Sequence, residues 1–149
     1  MKIKQYLSFF FFLCAIPSLF FAQTNDECVN NIFLDNVADY CSNVGEYNNQ
    51  MATPSPQVNP GCFPADADND VWFSFKAIGT DVKIRVVGAA GNNSGGTLQN
   101  PQFALYSGDC TNLTEEQCFS DAFGTNIAES FAGPLVVCLL YTSPSPRDS

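Results

Sequence analysis

Apolar and polar positions alternate most cleanly between Val71 and Val87. In the first run Val71, Phe73, Phe75 and Ala77 are apolar, with Trp72, Ser74 and Lys76 between them. In the second, Val82, Ile84 and Val86 alternate with Asp81, Lys83 and Arg85. Successive side chains of a strand point to opposite faces, so each run has one apolar face and one mixed or charged face. The pattern predicts two half-buried antiparallel strands, Val71–Ala77 and Val82–Val86. Ile78-Gly79-Thr80 would join them as a tight hairpin, with Gly79 free to take a positive φ.

Weaker patterns flank this pair. Asn25, Asp26 and Glu27 precede an apolar cluster of Val29, Ile32, Phe33 and Leu34, which reads as a capped helical turn leading into a short strand. Val44–Met51 reads as a further strand. Pro54, Pro56, Pro60 and Pro64 make residues 52–64 a loop. Gly88, Gly91, Gly95 and Gly96 lie in an inter-strand loop; no Lys-Ser or Lys-Thr follows them, so they are no phosphate cradle. Gln102–Tyr106 is expected as a strand with Phe103 and Leu105 on one face, Ser107-Gly108-Asp109 as a turn, and Glu115–Phe119 as the return strand. A last apolar stretch covers Ile127–Val137. The fold class is therefore all-β, an antiparallel β-sandwich. Phe73, Phe75, Val82, Ile84, Phe103 and Leu105 are the candidate inter-layer core.

The two ends read differently from the body. In residues 1–22, Lys2 and Lys4 precede a nearly continuous apolar run from Tyr6 to Phe21, and Ala22 is a small residue before the first polar ones. That is the anatomy of a cleaved secretory signal peptide, with an uncleaved anchor as the rival. The body, residues 23–137, is the sandwich module. Residues 138–149 contain CLLYTSPSPRD, Cys138 to Asp148, which looks like the translation of adaptor sequence from sequencing libraries. We read it as non-native, leaving a sandwich that lacks its last strand or strands.

Charge removes several function classes. The chain of 149 residues has 6 basic and 15 acidic residues, no His, and a formal net charge of −9. Within residues 23–137 the basic residues are Lys76, Lys83 and Arg85, against 14 acids (15 less Asp148), a net of −11. Such a body repels nucleic-acid backbones and anionic lipid surfaces, so no nucleic acid is expected as a partner, and no membrane once the leader is removed. Without His, no Ser/His/Asp or Cys/His constellation can form, and no G-x-S-x-G is present. No enzyme activity is expected of this stretch.

Cation attraction is the other side of the same charge. Asp66, Asp68 and Asp70 stand at alternate positions before the first clear strand. Closely spaced carboxylates suit a hard cation, so calcium is the candidate cofactor, although an EF-hand's Gly and distant Glu are missing. The competing reading has Asp68 and Asn69 as solvated turn residues and Asp70 at the strand start. Trp72, the single Trp, is expected between the sheets with its N–H on a carbonyl; the rival is an exposed ligand platform. Of 7 Cys, Cys14 lies in the leader and Cys138 in the tail. Exported Cys are usually paired. Cys110 and Cys118 flank a short connection and are expected to bond, with Cys28–Cys41 favoured over the pairings that use Cys62. A zinc site is disfavoured by the lack of C-x-x-C and of His.

NDEC at Asn25–Cys28, DVWFSFKA at Asp70–Ala77, FALYSGDC at Phe103–Cys110 and LTEEQC at Leu113–Cys118 occur in this order. Together they resemble the repeated β-sandwich modules of secreted bacterial surface proteins. Those modules are similar to the pre-peptidase C-terminal domain and are found in proteins exported by the type IX secretion system. The resemblance implies a jelly-roll-like sandwich, a secreted or cell-surface location, calcium in some members, and a non-catalytic binding or adhesion role toward an extracellular carbohydrate or protein. The alternative it implies is an accessory domain of a secreted, peptidase-like hydrolase.

Overall fold

A computed structural model describes residues 23–56, 60–63, 69–89, 96–121, 124–136 and 140–145. The leader assigned to residues 1–22 lies outside them. The elements in chain order are a one-turn 3₁₀ helix at Cys28–Asn30, then β1 (Ile32–Leu34), β2 (Val71–Lys76), β3 (Val82–Val87), β4 (Gln102–Asp109), β5 (Asn112–Ser120), β6 (Ile127–Ala132) and β7 (Leu140–Ser145). The chain is all-β. One sheet has five strands in the order β1-β2-β7-β4-β5, and a second has β3 and β6. All pairings are antiparallel except β1 with β2.

Alternation places the core between the layers. Phe75 of β2 and Leu105 of β4 are buried against Ala77, Ala132 and Leu135, and Val82 and Ile84 of β3 pack onto the same cluster. Phe103 is 1% exposed and its ring stacks on Phe119 across the β4–β5 ladder, centroids 5.9 Å apart. Phe73, the sixth expected core residue, is only half-buried; the ring of Tyr47 meets it edge-on at 4.8 Å. Residues 44–51, expected as a strand, form turns, and they cover that flank of the inner face instead.

The expected hairpin of β2 and β3 does not form. The two strands lie in different sheets, and Ala77 to Asp81 carries the chain from one layer to the other. β3 pairs along its whole length with β6, from Val82 opposite Ala132 to Val87 opposite Ile127. Gly79 is not among the described glycines with positive φ, which are Gly45, Gly108 and Gly124. Both arrangements satisfy the alternation, because a strand's apolar face meets the inter-layer core from either sheet.

The expected turn at Ser107-Gly108-Asp109 is also displaced. β4 runs on through Asp109, and the reversal is at Cys110-Thr111. Asp109 holds it: its Oδ1 accepts from the backbone N–H groups of Thr111 at 2.9 Å and Asn112 at 3.1 Å. These bonds and the Thr111 hydroxyl keep the Asp109 carboxyl below its ordinary range. Register slips between Leu105 and Tyr106, where Glu116 is the unpaired residue of a β-bulge.

The tail, expected to contribute no strand, supplies β7. Leu140–Ser145 pairs with β2 over six residues and with β4 at Tyr106–Thr142 and Ser107–Tyr141. It is the strip that joins the β1-β2 half of the sheet to the β4-β5 half.

Candidate functional site

The outer face of the large sheet is covered, not exposed. Trp72, Ala104 and Tyr106 lie on it with Cys28, and Phe63, Cys110, Leu113 and Cys118 pack around them. Two chain segments make the cover: the turn at Cys28–Asn30 and the loop around residues 60–63. Disulfides fasten both. Cys28 bonds Cys110 at the tip of the β4–β5 hairpin, and Cys62 bonds Cys118 on β5. This corrects the expected pairs Cys110–Cys118 and Cys28–Cys41; Cys41 is free and exposed. The reason is strand length. Cys118 stands opposite Ala104 while Cys110 is at the turn, so they are about 20 Å apart at roughly 3.3 Å per residue. A disulfide requires Cα atoms within about 7 Å.

Trp72 is buried, at 1% exposure, but beneath this cover and not between the sheets. Its Nε1 donates to Ser55 Oγ at 2.7 Å, a hydroxyl in place of the expected carbonyl. Around it runs a polar lining. Asn25 Nδ2 donates to Trp72 O, and Trp72 N donates to Asn25 O at 2.8 Å. Asp26 accepts from Thr53 through both its N–H and its hydroxyl. These bonds satisfy buried polar groups that would otherwise each cost about 1–3 kcal/mol.

Asp70 belongs to the same lining. It is 3% exposed, and its Oδ1 accepts from Ser55 N at 2.9 Å. Burial raises its carboxyl above the ordinary range, and the hydrogen bonds from Ser55 and Trp72 oppose that shift. Burial likewise raises Glu27, helped by the nearby charges of Asp26 and Asp70. Tyr106 is pushed up to about 12, first by burial and then by Glu115 and Asp70. Asp66 and Asp68 lie outside the described residues. Of the proposed calcium ligands, then, only Asp70 is seen, and its carboxylate is engaged inside the protein. Among the described residues, no group of three or more Cys, Asp or Glu side chains is arranged to hold a metal.

The open surface is on the small sheet. Lys83 and Arg85 of β3 point outward with Val87, and β6 contributes their partners Phe131, Glu129 and Ile127. Lys83 Nζ lies 3.0 Å from Glu129 Oε2, and Arg85 Nε lies 3.3 Å from the same oxygen. Lys83 Nζ also sits 5.3 Å from the centroid of the Phe131 ring, within cation–π range. Phe131 is 69% exposed. The acid that pairs both cations is thus supplied across the ladder by β6. Lys76, the third base of the body, is exposed at the end of β2. Phe131 was missed in the sequence because it sits on the outward register of a strand whose partner was unknown.

The chain matches no family model, and neither a curated protein nor a solved structure is significantly similar to it.

Proposed function

We propose that the chain is a non-catalytic binding module of an exported protein, acting at the outside of the cell toward an extracellular ligand. The observation that carries this reading is the disulfide-fastened cover. Two long-range disulfides, Cys28–Cys110 and Cys62–Cys118, suit an oxidising compartment. The leader-like residues 1–22 and the four ordered motifs support export in the same sense. A stable all-β body that presents one open, charged and aromatic sheet face suits recognition. The absence of His from the sequence removes the usual proton shuttle near neutral pH.

The test is to express the full chain with its leader, collect the exported, disulfide-intact protein, and assay it against immobilised extracellular glycans and matrix proteins. Saturable binding without turnover is the expected result. Turnover of a peptide or glycoside substrate that one carboxylate substitution abolishes would overturn the reading.

A further inference from the structure

The large sheet holds its last strand incompletely. β7 pairs with β2 at six positions but with β4 at only two, Tyr106–Thr142 and Ser107–Tyr141. Backbone chemistry accounts for the stop. Trp72 gives its N–H to Asn25 O and takes the Asn25 amide on its carbonyl, so the pair Trp72–Pro144 makes no ladder bonds. Position 144 therefore turns its backbone nitrogen toward β4, and proline has no N–H to give. Carried on by two residues, the β4–β7 register sets that position opposite Ala104. Ala104 is 0% exposed and, two residues from Tyr106, presents its backbone groups to the same side. Its carbonyl receives no donor from β7, in a buried place where an unpaired backbone group is costly. Proline is confined to edge strands and bulges for this reason, yet here it lies between two strands.

We propose that the gap between β2 and β4 is an acceptor site for an extended peptide strand, which enters by displacing residues 140–145. This goes beyond the binding-module reading and rests on the sheet alone. The walls define the occupant. Phe75 and Leu105 line the inter-layer side, and Trp72, Ala104 and Tyr106 the covered side. A strand fits when it alternates, with bulky apolar residues at positions 141, 143 and 145, opposite Phe75, Phe73 and Val71, and small residues between them. The chain has serine at two of those three positions. A better-patterned strand thus gains both the missing N–H and apolar burial. It is also non-acidic, since residues 23–137 carry a net charge of −11. Strand addition of this kind draws affinity from main-chain bonds and selectivity from alternate side chains. The tethered tail competes at an effective concentration on the order of millimolar, so only a strand that pairs better displaces it.

The test uses the exported, disulfide-intact full chain at about 0.15 M salt, where distant charges are screened. The probe is a fluorescent peptide that copies residues 140–145 with Ser143→Val, Pro144→Thr and Ser145→Val, set between pairs of lysines for solubility. Fluorescence anisotropy should show saturable, one-to-one capture. The same peptide with proline kept at position 144 should bind about tenfold more weakly, the loss of one buried backbone hydrogen bond. Pro144→Thr in the protein should weaken capture of the matched peptide by a similar factor, because the tail then holds its own place, and should raise the melting temperature. Capture indifferent to both changes puts the peptide on an outer edge, β1 or β5, and overturns the assignment. Failure of folded protein to capture the matched peptide overturns it as well. Neither failure bears on a ligand held at another face, so the binding-module reading is judged separately.

Discussion

Removing one disulfide tests the covered-face architecture directly, because the two ways of pairing the cysteines predict different losses. In the structure Cys28 and Cys110 are 82 residues apart and Cys62 and Cys118 are 56 apart. On the chain-entropy relation, closing such loops stabilises by about 4.5 and 4.2 kcal/mol respectively. A Cys110–Cys118 or Cys28–Cys41 bond would close only a short loop, worth about 2–3 kcal/mol. A domain's whole stability is about 5–15 kcal/mol, so losing the longer bond consumes a large share of it. Cys28 is fully buried against Trp72 and Ala104, so its truncation also removes packing. The double variant Cys28→Ala/Cys110→Ala should therefore lose at least about 4 kcal/mol. With a urea slope of about 2 kcal/mol/M, its midpoint falls by about 2 M. Cys41→Ser, at an exposed free thiol, should change stability by less than about 0.5 kcal/mol. Urea unfolding followed by tryptophan fluorescence reads both, since Trp72 lies against the lost bond. A Cys41→Ser variant as damaged as the double variant, or a Cys110–Cys118 peptide in a non-reducing digest, would refute the architecture.

Further outcomes follow from the same cover. Ser55→Ala removes the hydroxyl that accepts from the buried Trp72 N–H, a donor that also bonds the Asp70 carboxyl, and should cost about 0.5–1.5 kcal/mol in urea unfolding, the worth of one hydrogen bond; no measurable loss contradicts the placement. Asp70 gives a pH signature. Its folded pKa is raised, so the charged form is the disfavoured one, and its contribution is best below the unfolded value and declines as pH rises through the folded value. Asp70→Asn should thus gain stability relative to the native chain as pH rises above the ordinary carboxylate range, about 4, and a relative loss there would reverse the sign argued here. Deleting residues 138–149 removes β7 and splits the large sheet between β2 and β4, so the shortened chain should aggregate through two opened strand edges; a monodisperse, cooperatively melting product refutes this. Millimolar calcium should leave the melting temperature unchanged, given the inward carboxylate of Asp70, whereas a rise that Asp68→Asn abolishes would assign calcium to the loop that precedes β2.

Which parts of this architecture were legible in the sequence depends on whether they are local. Strand identity is local, and the alternation located β2, β3 and β4 to within a few residues. Strand partnership is not. Apolar odd positions in β2 and even positions in β3 fit a hairpin or a crossing between layers equally well. The mixed faces carried the missing signal. A hairpin would have set Trp72 and Ser74 on one solvent face with Lys83 and Arg85, and Lys76 close to Lys83. In the structure the two outer faces are separate, and each has what it needs: Glu129 between the cations on one, a cover over the indole on the other.

The cover also explains why the cysteines were misread. Pairing cysteines by nearness along the chain assumes that the covalent links reinforce local turns. Here the β4–β5 hairpin is already held by its ladder and by Asp109 at the turn, and a local bond would add little to it. The segments that lack regular partners are the turn at Cys28–Asn30 and the loop around Cys62, and these are the ones the disulfides fasten to β4 and β5. The burial of Trp72 and the pairing of four cysteines are thus one structural event, a third layer over the large sheet. A sheet face bearing a Trp, a Ser and a Tyr, with cysteines spaced too far apart for one hairpin, is the sequence signature of such a layer. Among the described residues the small sheet has no equivalent cover, and neither of its strands has a cysteine. Its outward face is therefore the exposed one, and the 69% exposure of Phe131 beside two cations follows from where the disulfides are not.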